Sequence, residues 1–302
     1  MKKKFHSNGK LLISGEYAIL DGALGLAIPT SYGQSLQLAP TASGILEWKS
    51  YDLNTQPWFT AEFNLGSLAI ISASDQTTAE TLQGLLREAQ RLNPLVLKDS
   101  EGIEMEAHLG FPRDWGLGSS STLINNLAQW ARVDPYTLLW NAFGGSGYDI
   151  ACARHNAPIT YRLGAGGAQV REIDFDPIFK NSLYFVHLNQ KQSSKKAIEA
   201  YRYQGGGTEN LIQRITEITQ QLIRAATLAE FEAQIEEHES ILSKVLGIPP
   251  VKQRLFPDHP GVVKSLGAWG GDFVLASGDH GVRDYFGAKG YPTVIPYGKM
   301  VL

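Results

Sequence analysis

Three glycine clusters, Gly116–Gly118, Gly144–Gly147 and Gly267–Gly271, set the tightest limit on what this chain can fold into. Each falls at a junction between apolar patterns, where glycine lets the backbone turn sharply or approach another group closely. Glycine is abundant throughout, with 31 among 302 residues, above the usual ~7%. Between the clusters the apolar period alternates between two and 3.6. Ile103–Leu109 alternates strictly, and Leu11–Ile13, Ser35–Leu38, Ile159–Leu163, Leu183–Leu188 and Phe273–Ala276 also read as strands. Thr78–Leu92 reads as a helix through Leu82, Leu85, Leu86, Ala89 and Leu92, with Thr77 or Thr78 as its cap and Asn93-Pro94 as its stop. Two amphipathic helices follow, over Leu211–Ile223 and Leu228–Val245, the second ending at Gly247. Such mixing predicts an α+β chain with a boundary near residues 164–180.

Hydrophobic residues make up 43% and charged residues 19%, enough for a substantial core and far from the composition of a disordered chain. The net charge of −3 removes the electrostatic case for a nucleic-acid partner or an anionic membrane. No stretch approaches the ~20 apolar residues of a membrane span. The start, Met1-Lys2-Lys3-Lys4, is followed by His6, Asn8, Lys10 and Glu16 rather than an apolar signal core, and reads as a mature cytoplasmic N-terminus. The single cysteine, Cys152, excludes an internal disulfide, fits a reducing compartment, and reads as a core residue. The seven histidines make no ligand-spaced pair, and no Gly-x-Ser-x-Gly elbow is present.

Four segments can carry chemistry. Trp115-Gly116-Leu117-Gly118-Ser119-Ser120-Ser121-Thr122 brings glycines and serines to the start of a helix, where free N–H groups and the positive helix end favour an anion. A plain turn is the other reading. The segment is not a P-loop, since no Gly-Lys-Ser/Thr closes it, and it lacks the acidic partner of a dinucleotide fingerprint. Asn8-Gly9-Lys10 reads as a turn that delivers one lysine to the start of a strand, with Gly15-Glu16 after it. Gly145-Ser146-Gly147-Tyr148-Asp149 sets one carboxylate in a small-residue loop before a helix, where an N-cap is the alternative. Lys264 to Asp272 forms a glycine loop before a strand.

In this order the four segments resemble the motifs of the GHMP kinases, a family named for galactokinase, homoserine kinase, mevalonate kinase and phosphomevalonate kinase. Gly9-Lys10 with Gly15-Glu16 is similar to the first motif, with Tyr17 where His is common. Gly116–Ser120 is similar to the second, with Ser121 in place of Ala, and Gly267–Gly271 to the third, with Trp269 where glycine is usual. Gly145–Ala151 and Gly270-Gly271-Asp272 look most like the phosphomevalonate kinase branch and a bacterial subgroup marked by Gly-Tyr-Asp-Ile-Ala. Asn189–Lys196 is similar to the substrate-side loop of mevalonate and phosphomevalonate kinases.

The resemblance implies a ribosomal protein S5 domain 2-like part over residues 1–170, binding ATP, and a ferredoxin-like part over 171–302. It implies a small-molecule kinase using ATP and Mg²⁺. Trp115, Gly116, Leu117, Gly118, Ser119, Ser120 and Ser121 would bind ATP, and Ser120 would also face Mg²⁺. Asp149 would orient or deprotonate the acceptor. Lys10 would hold Asp149 ionised and stabilise the transferring group. Glu16, Ser146, Lys191, Ser194 and Lys195 are expected on the acceptor side. Lys191, Lys195 and Lys196 favour an anionic acceptor, phosphomevalonate or mevalonate, over a sugar. Residues 122–148 hold one acidic residue, Asp134, and no glutamate to match the magnesium-binding glutamate of mevalonate kinases. An inactive ATP-binding relative and a galactokinase-like enzyme therefore stay open, as does a homodimer.

Overall fold

The computed structural model describes residues 2–190, 194–203, 207–267, 269 and 271–302. Two compact units emerge. The first comprises residues 1–9, 32–113 and 117–154; the second comprises 10–31, 114–116 and 155–302. The strands β1 (Lys3–Ser14) and β2 (Gly25–Pro40) contribute segments to each.

In the first unit, β3 (Ile45–Tyr51), β4 (Phe59–Asn64), β5 (Ile70–Ala73) and β6 (Ile103–Leu109) join the far half of β2 in the order β5-β4-β3-β6-β2. The β3–β6 pair is parallel and the others are antiparallel. β6 has the expected bounds, and Met105, Ala107 and Leu109 are its buried side chains. Four helices accompany the sheet: α1 (Gln76–Leu92), α2 (Ser119–Ala131), α3 (Pro135–Ala142) and α4 (Tyr148–Arg154). Leu82, Leu85, Leu86 and Ala89 of α1 pack with Trp48, Phe59, Phe63, Met105, Ile124 and Leu127 in one core. The cap of α1 is Asp75 rather than a threonine, because its carboxylate accepts the Thr78 N–H at 2.8 Å. Cys152 is buried, as expected of a core residue.

In the second unit, β7 (Ile159–Gly164) and β8 (Gly167–Glu172) form a hairpin, and β7 pairs with Gly25–Ala27 of β2. β9 (Leu183–His187) is followed by α5 (Ser194–Tyr203), α6 (Glu209–Arg224), α7 (Leu228–Leu246) and α8 (Val251–Leu255). Then come β10 (Val263–Leu266), β11 (Phe273–Ser277), α9 (Val282–Ala288), β12 (Val294–Pro296) and α10 (Tyr297–Met300). The four strands β9–β12 are antiparallel in the order β10-β11-β9-β12. With helices after β9 and β11, that is the ferredoxin-like arrangement. Gly247 closes α7 in the left-handed region, at φ 66°, as expected. Among the described residues no helix is long and apolar enough to cross a membrane.

Candidate functional site

The second unit assembles a polar surface around one glycine. Asn8-Gly9-Lys10 is not the expected turn: β1 runs unbroken through it and carries Lys10 half-buried along the strand. Lys10 Nζ donates to the carbonyl of Gly116 at 2.9 Å. Gly116 has φ 65°, and a Cβ there would lie 2.0 Å from Asp272 Oδ2, so the carboxylate fills the space a side chain would need. Asp272 stands just before β11, its carbonyl accepting the Leu188 N–H at 2.9 Å. Trp115 meets Phe273 edge-on, with ring centroids 5.4 Å apart, and lies 6.2 Å from the His187 ring. His187 Nε2 approaches the carbonyl of Asp114 at 3.3 Å. The side chain of Asp114 is exposed.

The first unit carries the loop onward. Leu117 is fully buried. Gly118 is the N-cap of α2 at φ 88°, with no side chain capping the helix, which leaves its first N–H groups open to an anion. Ser121 Oγ turns back to the Gly118 carbonyl at 2.9 Å, and Thr122 Oγ1 donates to Gln34 Oε1 at 2.8 Å. Ser119 is half-buried and Ser120 exposed. A buried polar ladder fixes α2. Asn125 Nδ2 donates to Ser7 Oγ at 2.9 Å, Ser7 Oγ to Asn126 Oδ1 at 2.8 Å, and Asn126 Nδ2 to the Gln34 carbonyl at 3.0 Å. Asp149 is the second residue of α4 rather than a residue ahead of it, and its Oδ1 accepts the Ile150 N–H at 3.0 Å. Ser146 is buried.

Glu16 faces the interior of the second unit. Its Oε1 pairs with the ammonium of Lys264, whose side chain is fully buried on β10. Glu239 of α7 lies 3.8 Å from the same ammonium. Burial pushes the Glu239 carboxyl up to about 8 although Lys264 draws it down, and burial raises Glu16 against the same attraction. His238 sits 3.3 Å from Glu16 Oε2 without making an ion pair. Burial and then Lys264 hold its pKa well below the usual value, and its Nε2 accepts the Gly15 N–H at 3.1 Å. Next along the chain, Tyr17 adopts φ 62°, stacks on Tyr201 at 5.4 Å, and accepts the Trp269 N–H at 2.9 Å.

No protein-family model matches the chain, and no curated protein matches it in sequence. Solved structures do match. The Methanococcus jannaschii mevalonate kinase gives a TM-score of 0.73 at 12% identity, covering 98% of this chain and 97% of its own. Streptococcus pneumoniae phosphomevalonate kinase, in complex with phosphomevalonate and AMPPNP, gives 0.70 at 16% identity, covering 95% of each chain. The chain has the GHMP kinase fold. Lactococcus lactis galactokinase, complexed with galactose, also matches at 0.68 and 13% identity, over 98% of this chain and 94% of its own. The shared fold thus spans proteins with quite different acceptors.

Within this GHMP kinase fold, Lys10, Trp115 and Gly116 come together in the second unit; Leu117 to Ser121, Ser146 and Asp149 belong to the first. Glu16, expected on the acceptor side, has its carboxylate in the interior on Lys264. Lys191 lies outside the described residues; Ser194 and Lys195 open α5, their side chains likewise outside what is described. Sequence reasoning missed the position of Asp272 against the loop and the whole Lys264 cluster. A signal for the latter exists. Lys264 interrupts the apolar strand Val262–Leu266, and His238 falls on the apolar stripe of Phe231, Ile235 and Leu242.

Proposed function

We propose that this chain is an ATP-dependent small-molecule kinase, a phosphotransferase acting on an anionic acceptor of the mevalonate or phosphomevalonate type. The observation that carries this reading is the contact of Lys10 with the carbonyl of Gly116, the first glycine of a loop that opens an uncapped helix. The donor set fits a nucleotide polyphosphate: glycine backbone, a lysine, and helix N–H groups not taken by a cap. The GHMP kinase fold supports it at the level of architecture. The proposal assigns residues 1–170 to ATP binding and 171–302 to the C-terminal part of the fold.

When bound, ATP with Mg²⁺ supplies the phosphoryl group and spreads its charge. The rest falls to this chain's residues. Backbone N–H groups from Gly118 to Ser121 donate to phosphate oxygens, and Ser120 offers an exposed hydroxyl to the cation. Lys10 holds positive charge beside the loop, where phosphoryl transfer needs positioning and neutralisation more than covalent help. Asp149 accepts the proton of the acceptor hydroxyl at its carboxylate. If the acceptor is itself a phosphate, its oxygen is already nucleophilic, and Asp149 orients more than it deprotonates.

ATP turnover with a panel of mevalonate, phosphomevalonate, galactose and homoserine is the test. Phosphorylation of the first or second supports the reading. Preference for galactose keeps the kinase and overturns the acceptor; ATP binding without turnover on any of them leaves an inactive relative. One observation favours that second reading: Trp269 stands where the family's third motif has glycine, and its backbone N–H is already taken by Tyr17.

A further inference from the structure

The apolar strand β9 ends on a histidine. His187 is 3% exposed, and a polar ring buried that deeply needs a partner for its N–H. It finds one outside the sheet, where Nε2 meets the carbonyl of Asp114 at 3.3 Å. A carbonyl only accepts, which puts the ring proton on Nε2. The orientation of the ring is fixed by packing. Phe273, its cross-strand neighbour on β11, lies 5.1 Å away, Trp115 lies 6.2 Å away, and Trp115 and Phe273 are 5.4 Å apart, so the three rings close a triangle. Lys10 instead reaches the Gly116 carbonyl on a flexible stem. These two donors hold the carbonyls at both ends of Asp114-Trp115-Gly116, a segment that belongs wholly to the second unit, as do His187 and Lys10.

A carbonyl held by a donor fixes the plane of its peptide, and the N–H of that peptide then points the opposite way. Phosphate oxygens are drawn to N–H groups and repelled by carbonyl oxygens, so a backbone that meets a phosphate must have its carbonyls turned aside. We infer that His187 is a positioning residue for the nucleotide: from the end of β9 it turns the Asp114 carbonyl aside and sets the course of the chain into Gly116. The inference rests on the kinase reading and gives a part to a residue that touches no substrate. His259 supplies a matched contrast in the same unit. It is 4% exposed, its Nε2 donates to the Ser277 carbonyl at 2.8 Å, and its ring packs on Tyr285 and Phe286 at 4.9 and 5.2 Å. It is the same kind of buried donor, but its carbonyl lies at the other end of β11 from Phe273.

The test is calorimetric titration of the full chain with AMPPNP in excess Mg²⁺, for the wild type, His187→Phe, His187→Gln and His259→Phe. His187→Phe keeps a ring in the triangle and removes the donor, and AMPPNP affinity should fall by about three- to tenfold, the worth of one hydrogen bond. His187→Gln offers an amide N–H at similar reach and should stay within about twofold of the wild type. His259→Phe loses an equivalent buried hydrogen bond and should bind AMPPNP as the wild type does. If His187→Phe does not fold by circular dichroism, His187→Met, as long as glutamine but without a donor, should show the loss that His187→Gln does not. Wild-type affinity in a folded variant lacking the donor, an equal loss in His187→Gln, or an equal loss in His259→Phe overturns the inference and leaves the kinase reading in place. No AMPPNP binding by the wild type overturns the kinase reading and this inference with it.

Discussion

The second unit places lysine and carboxylate together twice, with opposite consequences. At Gly116, half-buried Lys10 holds the carbonyl and the half-buried Asp272 carboxylate fills the space a side chain would need. Around Lys264 the ammonium is fully buried, Glu16 is 2% exposed, and the charges are turned on one another. The residue types are the same; the depth of burial differs. Removing one member of a buried pair strands the other in a low dielectric, whereas water compensates for losses at the rim. Five substitutions test what each group does.

The largest effect should come from Lys264→Met. Glu16 then loses its partner in the interior, and chemical denaturation should show a loss of about 3–5 kcal/mol. A loss below about 1 kcal/mol would mean the pair contributes little and the contrast with Gly116 is false.

Next in size are the charges to which the proposed function gives a catalytic part. Asp149→Asn should lower turnover by about 10²–10⁴-fold, and Lys10→Ala by about 10²-fold or more, with the unfolding midpoint shifted by no more than about 1 kcal/mol in either. A Lys10→Ala protein that unfolds as readily as Lys264→Met would make Lys10 structural too.

Gly118→Val tests the backbone rather than the charges. A β-branched residue at φ 88° is strained and covers the N–H groups opening α2. AMPPNP affinity should fall by about tenfold; equal affinity in a folded variant would reduce the loop to a turn.

The smallest effect is in Glu239→Gln, and it depends on pH. The Glu239 pKa rises from the ordinary 4.5 to about 8 on folding. Between those values the folded state holds more protons than the unfolded state, so this group makes stability fall as pH rises through that window. Below it the carboxyl is protonated in both states and the penalty vanishes. The amide cannot ionise, so Glu239→Gln should flatten the decline between pH 4.5 and 8 and gain relative stability at the alkaline end. A parallel decline in both proteins would show that Glu239 does not carry it.

What the sequence discloses follows from how each element is buried. β6 is legible to the residue because one face is covered and the other is not, so its alternation is clean. Residues 45–64 alternate too, with Leu46 and Trp48 and then Phe59, Ala61 and Phe63 buried, but sequence reasoning missed them. The buried face of β3 and β4 includes Ser50 and Ala61 beside Leu46 and Trp48, which blurs the apolar count. The near half of β2 is buried on both faces from Gly25 to Thr30, which removes alternation altogether. The start of α1 is hidden because its first turns are mostly polar and exposed. Helical periodicity therefore begins well after the Asp75 cap. For the site, glycine spacing marks Gly116 and Gly118, since their left-handed backbone needs glycine. Asp272 lies 156 residues from Gly116 in sequence, and no local pattern encodes a contact at that separation.

The way the chain is shared between the two units bears on how it is made. The second unit draws on 10–31, 114–116 and 155–302, so its earliest segment leaves the ribosome long before its last. Glu16 and Tyr17 wait for Lys264 and Trp269, some 250 residues later, before their contacts can close. Pairings of such sequence separation form slowly, because loop closure precedes any energetic gain. During synthesis Gly25–Ala27 of β2 must wait for Ile159–Tyr161 of β7, and an apolar strand edge left open is prone to aggregation. Cutting between 154 and 155 yields no autonomous second unit, because two of its three segments lie upstream of the cut.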